Sequence, residues 1–195
     1  DESFRQIAEQ MQRKDLSAAD KWAVMRCIHS TADFEYEDLY HSNGNAIARW
    51  QTYLQAGGTI VTDVTMVQSG ITRSFLEKYQ AQVHCYLNAA GVLELAAKEG
   101  LTRSQAGMRL AIAKHPEALF VVGNAPTALF ELCDHLGNAD FKPAGIIGAP
   151  VGFVNVVESK LKLQAMKHIP YVIIKGRKGG SNVAASIVNA AFSYE

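Results

Sequence analysis

Three segments in the last third of the chain carry the residue types that hold anions. Each joins a short apolar run to a glycine-rich turn: Leu119–Val122 into Gly123-Asn124-Ala125-Pro126-Thr127, Ile146-Ile147 into Gly148-Ala149-Pro150-Val151-Gly152-Phe153, and Tyr171–Ile174 into Gly176-Arg177-Lys178-Gly179-Gly180-Ser181. Glycine lets a backbone approach a ligand closely, and the unpaired N–H groups of a helix start attract negative charge. Three such turns on one edge suit a ligand with several anionic groups. Two further residues bear on chemistry. Arg103, in Leu101-Thr102-Arg103-Ser104, has a guanidinium fork that matches a carboxylate, and it sits where a helix start disfavours a cation unless an anion is near. His29 follows Trp22 by seven residues and Met25 by four, so the three share one helix face. By residue type alone, a lone histidine on such an apolar stripe fits a hydrogen-bonded core position better than a proton-transferring one.

The elements that must position these residues follow from the hydrophobic pattern. Ser3 opens a helix, and Ser17-Ala18-Ala19-Asp20 resembles a capping box for a second helix running to about Ser30. A third helix is expected over 45–56, stopped by Gly57-Gly58 and feeding a strand at Thr59–Thr62. A short helix at 66–70, a strand at 82–87 and helices over 93–98 and 102–114 come next, with Pro116 ending the last. The three strand-turn-helix units complete the chain. About five strands alternating with helices predict an α/β fold: one domain over 1–195, a doubly wound, mostly parallel sheet with helices on both faces. In such sheets ligands bind at the carboxyl ends of the strands, where the glycine-rich turns lie.

Composition excludes several classes. At 195 residues and 48% hydrophobic the chain can bury a substantial core. Nineteen basic residues balance nineteen acidic ones, so no global field favours nucleic acid or an anionic membrane. No apolar run has the length of a membrane span and the start lacks the pattern of a signal peptide, so a cytoplasmic protein is expected. Cys27, Cys85 and Cys133 are odd in number and form no CxxC, which argues for small buried thiols rather than disulfides. Cys133-Asp134-His135 and His84-Cys85 are neighbours in sequence, but adjacent side chains point apart and no second pair completes a metal's ligand set. GxGxxG, GxxxxGK[ST] and GxSxG are all absent, which removes the sequence support for a dinucleotide fold, a P-loop or a nucleophile elbow.

The segments 123–129, Lys142-Pro143-Ala144, 148–154, Glu158-Ser159-Lys160 and 176–181, joined by Val61-Thr62-Asp63-Val64-Thr65-Met66-Val67, resemble the precorrin-8X and cobalt-precorrin-8 methylmutases in kind and in order along essentially the whole chain. The resemblance implies an isomerase of cobalamin biosynthesis that moves a methyl group from ring carbon 11 to ring carbon 12 of a corrin precursor, giving hydrogenobyrinate or cobyrinate. It implies no organic cofactor, a tetrapyrrole substrate fringed with carboxylates, and a homodimer with the site near the subunit boundary. His29 matches the family's catalytic histidine, and Ser3 and Arg103 match residues that contact the substrate. Asn124, Gly176, Arg177, Gly179, Gly180 and Ser181 are the further substrate-binding residues expected from the matched turns. Histidine, with an ordinary pKa of about 6.5, suits proton redistribution among the pyrroles as conjugation shifts. The loop 40–45 departs from the family pattern, and no functional residue is carried onto it. The competing expectation is a non-catalytic corrin or polycarboxylate carrier, which needs the anion sites and an apolar slot but no catalytic histidine.

Overall fold

The computed structural model describes residues 2–194. Its centre is a six-stranded sheet in the order β1-β6-β5-β4-β2-β3, formed by β1 (Tyr40–Ser42), β2 (Thr59–Thr62), β3 (Gln82–Cys85), β4 (Leu119–Val122), β5 (Gly145–Gly148) and β6 (Tyr171–Ile174). The last five run parallel, and β1 is antiparallel on the edge. The chain winds outward from β2 to β3, returns to β4 on the other side of β2, and then proceeds through β5 to β6. The sheet is thus doubly wound, as the alternating pattern predicts.

Strand side chains alternate between two separate cores. Ile60, Leu119, Val121, Ile147, Val172 and Ile174 enter one; Val61, Phe120, Val122, Ile146, Tyr171 and Ile173 enter the other. This period of two, with apolar residues at every position, is what a strand covered on both faces requires. The first core is covered by α1 (Glu2–Gln10), α2 (Ala18–Thr31), α4 (Ala46–Gln55), α5 (Thr65–Gly70) and α11 (Ser181–Ser193). The second is covered by α8 (Arg103–Lys114), α9 (Pro126–His135) and α10 (Val156–Gln164). Short helices α3 (Tyr36–Leu39) and α6 (Arg73–Tyr79), and α7 (Val92–Glu99), fill the connections.

Three expectations need correcting. β1 and α3 were not anticipated, because three or four residues are too few to establish a period; the loop expected over 40–45 contains β1, tied to β6 through Tyr40 opposite Ile174. The helix α6 was also missed. The strand expected over 82–87 stops at Cys85. Helix starts fared better. Ser17 accepts from the Asp20 N–H at 3.1 Å, and Thr102 exchanges a full capping box with Gln105. Of the three thiols, Cys27 and Cys133 are buried whereas Cys85 is half-exposed.

The carboxyl ends of β2, β4, β5 and β6 are level: Thr62 lies beside Val121, Val122 beside Gly148, and Gly148 beside Ile173. All three glycine-rich turns therefore leave the sheet on one rim. α11 starts at this rim and runs away from it, and α2 packs against it in the opposite direction, since the Trp22 indole N–H donates to Ser193 at the far end of α11. That antiparallel pairing returns the last turn of α2, with His29, to the rim.

Candidate functional site at the carboxyl rim

His29 lies in the last turn of α2 and is exposed, which removes the core-histidine alternative. Its ring stacks on Phe4 with centroids 4.8 Å apart and planes 17° from parallel, and Phe4 in turn lies 4.8 Å from Trp22. The shared helix face of Trp22, Met25 and His29 is thus the face that α1 covers. Phe4 fixes the imidazole plane without taking either ring nitrogen. Ser3 and His29 open into the same hollow of about 320 Å³, also lined by Gln6, Ile7, Gln10, Ala32 and Phe34. A larger hollow of about 490 Å³, lined by Ala8, Ala18, Lys21, Trp22, Met25, Ser193 and Tyr194, holds neither histidine nor carboxylate.

Arg26, three residues before His29, escaped the sequence argument. Its guanidinium lies 5.7 Å from the Trp22 ring centroid, and its Nε is buried with no hydrogen-bond partner among the described residues. Burial pulls its pKa below the ordinary value. An arginine one helical turn from a rim histidine was the available signal. A half-desolvated guanidinium lacking a carboxylate partner is a ready site for an anion.

The third turn is held rigidly. The Lys160 ammonium donates to the Gly176 carbonyl at 2.8 Å and to the Lys178 carbonyl at 2.7 Å, the Gly152 N–H donates to the Arg177 carbonyl at 3.1 Å, and the Tyr36 hydroxyl donates to the Gly179 carbonyl at 3.3 Å. Lys178 pairs with Asp33 and Glu35, tying the turn to the segment that follows His29; that ammonium draws the Asp33 carboxyl below its usual range. Gly176, Arg177, Gly179, Gly180 and Ser181 are therefore one unit, next to the end of α2. The glycine at 179 has a reason other than ligand approach: at φ +152° a Cβ there would overlap the Ala149 carbonyl oxygen. Gly176, at φ +71° and open to solvent, needs only the left-handed backbone.

The first turn corrects the expectation of three equivalent anion sites. Asp63, 4% exposed at the end of β2, accepts the N–H groups of Gly123 (2.9 Å), Asn124 (2.9 Å) and Ala125 (2.8 Å). The protein's own carboxylate fills the cradle. Burial nevertheless pushes the Asp63 carboxyl above its ordinary value. The crevice beside it, lined by Thr62, Asp63, Tyr86, Ser104 and Gly107, has no room for a water-sized body. Asn124 keeps an exposed side chain, but its backbone donor is taken. Gly123 also serves packing, since a Cβ there would come within 2.9 Å of the Ser181 Cα.

Arg103 is exposed at the first position of α8, and its side chain has no hydrogen bond or ion pair among the described residues. Thr102 donates to Thr127 at 3.2 Å, so the starts of α8 and α9 meet at the rim. Arg103 and Asn124 thus belong together, whereas Ser3 and His29 stand on the sheet's opposite face. Between these groups, Val151, Phe153 and Val154 of the second turn are exposed, Phe153 to 83%, and the Arg177 guanidinium lies 5.5 Å from the Phe153 ring centroid. These exposed apolar residues were also missed. Such a patch, with Arg177 beside it, accommodates a flat apolar ring with an anionic fringe.

The family model for precorrin-8X methylmutase matches residues 1–194. A cobalt-precorrin-8 methylmutase of Salmonella typhimurium is 43% identical over 168 residues, covering 86% of this chain and 78% of that protein. A precorrin-8X methylmutase of Pseudomonas aeruginosa is 39% identical over 190 residues, covering 97% and 91%. The solved structure of precorrin-8x methyl mutase from Thermus thermophilus superposes with a TM-score of 0.90 at 33% identity, covering 98% of this chain and 92% of that one.

Proposed function

The chain belongs to the precorrin-8X methylmutase family, and from that premise we propose that its methyl shift takes place at the end of α2, with His29 as the catalytic residue. The protein is an isomerase of cobalamin biosynthesis, a methylmutase. The observation that carries the assignment of its centre is the exposed imidazole of His29, held by the Phe4 ring over a hollow shared with Ser3. A carrier has no use for a histidine held in that way. Before the shift, ring carbon 11 bears the methyl and interrupts conjugation; afterwards that carbon joins the conjugated system, and protons on the neighbouring pyrroles redistribute. His29 donates a proton or a hydrogen bond to the macrocycle as this occurs. Arg26, buried at Nε and unpaired, receives one carboxylate beside it. The turn from Gly176 to Ser181, with Arg177 at its tip, receives others, and Val151, Phe153 and Val154 lie against the ring.

Arg103 and Asn124 face the substrate from the other side of the rim. Their separation from Ser3 and His29 supports a homodimer in which one subunit's Arg103 side completes the other's His29 side. The reaction is internal to the substrate and uses no organic cofactor. The protein works in the cytoplasm, in keeping with described residues that include no helix long and apolar enough to cross a membrane.

General acid–base assistance is worth about 10²- to 10⁴-fold. His29→Ala is expected to lose turnover of precorrin-8X by that order, followed as the change in visible absorbance, while still binding the corrin product. His29→Asn keeps a hydrogen-bond donor but cannot transfer a proton at neutral pH. Near-normal turnover in Asn alone leaves hydrogen bonding as the role; near-normal turnover in both variants removes His29 from the chemistry.

A further inference from the structure

Lys160 is 1% exposed, in the second turn of α10 beneath the third glycine-rich turn. Among the described residues its partners are the carbonyl oxygens of Gly176 and Lys178, and no carboxylate pairs with it. Burying an ammonium without a counter-charge is costly, and an apolar residue of the same length would fill the site at less expense to the fold. The arrangement therefore needs another reason. With the Arg177 carbonyl taken by the Gly152 N–H and the Gly179 carbonyl by the Tyr36 hydroxyl, every carbonyl from Gly176 to Gly179 is bound within the protein. The N–H groups of Arg177, Lys178 and Gly179 have no partner among the described residues.

We propose that Lys160 is a positioning residue for substrate binding: by tying the Gly176 and Lys178 carbonyls inward, it shapes the loop so that the N–H groups of Arg177, Lys178 and Gly179 receive a carboxylate of the corrin. The proposal rests on the corrin-binding role of this loop. Lys160 touches no substrate atom. It acts through the loop's backbone: in a trans peptide the N–H points opposite to the carbonyl, so holding the Gly176 and Lys178 carbonyls turns the Arg177 and Gly179 N–H groups away from the ammonium. Burial with carbonyl partners alone lowers its pKa to about 7, and an amine that has lost its proton still has two N–H donors for the two carbonyls.

Lys160→Met keeps the chain length and apolar stem and removes the donors. In titrations followed by the visible absorbance of hydrogenobyrinic acid, this variant should bind at least about tenfold more weakly, a loss of about 1.4 kcal/mol. KM for precorrin-8X should rise in step, while kcat changes less than about threefold, because His29 chemistry is untouched. Lys160→Gln, with one amide group to reach a single carbonyl, should fall between. Wild-type affinity in a folded Lys160→Met overturns the proposal, as does a loss of kcat without a change in KM. Failure of the wild-type protein to bind the corrin would instead overturn the corrin-binding role itself. Should both variants fail to fold, native wild-type protein decides by limited trypsin digestion: a loop tied at every carbonyl resists cleavage after Lys175, Arg177 and Lys178, and rapid cutting there without global unfolding rejects the tie.

Discussion

Asp63→Asn replaces one oxygen of a buried carboxylate with an amide nitrogen, and its cost follows from which atoms meet. In the native site Oδ1 accepts from the Gly123 N–H, and Oδ2 accepts from those of Asn124 and Ala125. The amide oxygen, placed at the Oδ2 position, keeps two bonds. Its NH2 then faces the Gly123 N–H, donor against donor, in a fully buried position. An unsatisfied buried donor costs about 1 to 3 kcal/mol. For a chain of this length, each kcal/mol lowers Tm by about 2 to 4 °C, so the range is about 2 to 12 °C. The lower half of that range is expected, because burial holds the Asp63 carboxyl above its usual value and removing its charge relieves part of that desolvation. Asp63→Ala strands all three donors and should be clearly worse. Differential scanning calorimetry of wild type and both variants at neutral pH makes the comparison. A Tm for Asp63→Asn equal to wild type, or an alanine variant no less stable than the asparagine one, would refute the view that this carboxylate fills the cradle at the first turn.

Arg103→Ala should weaken corrin binding by about 1 to 3 kcal/mol through loss of a charge-assisted pair, and Arg103→Lys should recover only part of it; unchanged affinity at low salt returns Arg103 to the solvated surface. Lys160 has a native pKa near 7, below that of the unfolded chain, so the unfolded state binds more protons between about pH 7 and 10.5 and this residue makes stability rise with pH across that window and fall as pH drops through 7; urea midpoints measured along that range should be flatter in Lys160→Met. Burial pushes the Cys27 and Cys133 thiols up to about 12, so one equivalent of a thiol reagent should enter the native protein at pH 8, at half-exposed Cys85, with the other two reacting only on unfolding; rapid labelling of all three in the folded state contradicts that burial.

Sequence carries the fold well wherever a period has room to show itself. Runs such as Leu119–Val122 and Tyr171–Ile174 are apolar at every position because both faces are covered, and the helix starts at Ser17 and Thr102 announce themselves by local hydrogen-bonding chemistry. β1 was hidden because Tyr40-His41-Ser42 owes its extended form to pairing with β6, a contact between residues far apart in the chain. The site was legible in part. Glycine-rich turns, His29 and Arg103 stood out by type and motif. What the turns do was not legible, since the same glycine serves a ligand or a neighbouring backbone: Gly123 packs against Ser181, and the N–H groups beside it belong to Asp63, sixty residues upstream. Arg26 and Lys160 look like ordinary helix cations in a one-dimensional pattern. Only burial without a counter-ion distinguishes them.

The ties from α2 and the segment after it to the third turn and α11 join residues far apart in the sequence. Tyr36 and Gly179 are 143 positions apart, Lys178 and Asp33 are 145 apart, and Trp22 reaches 171 residues ahead to Ser193. The two halves of the His29 neighbourhood are thus made at opposite times during synthesis. A ribosome has extruded Ser3, His29 and the Asp33–Tyr36 segment long before the loop that they engage exists, and α11, the helix on which α2 rests, is nearly the last piece to emerge. Until then α1 and α2 can pack on each other through Phe4 and Trp22, but the face of α2 that meets α11 stays wet. Contacts of such sequence separation close late and slowly. A chain cut short by even a single helix at its end loses α11, the surface on which α2 and with it His29 rest.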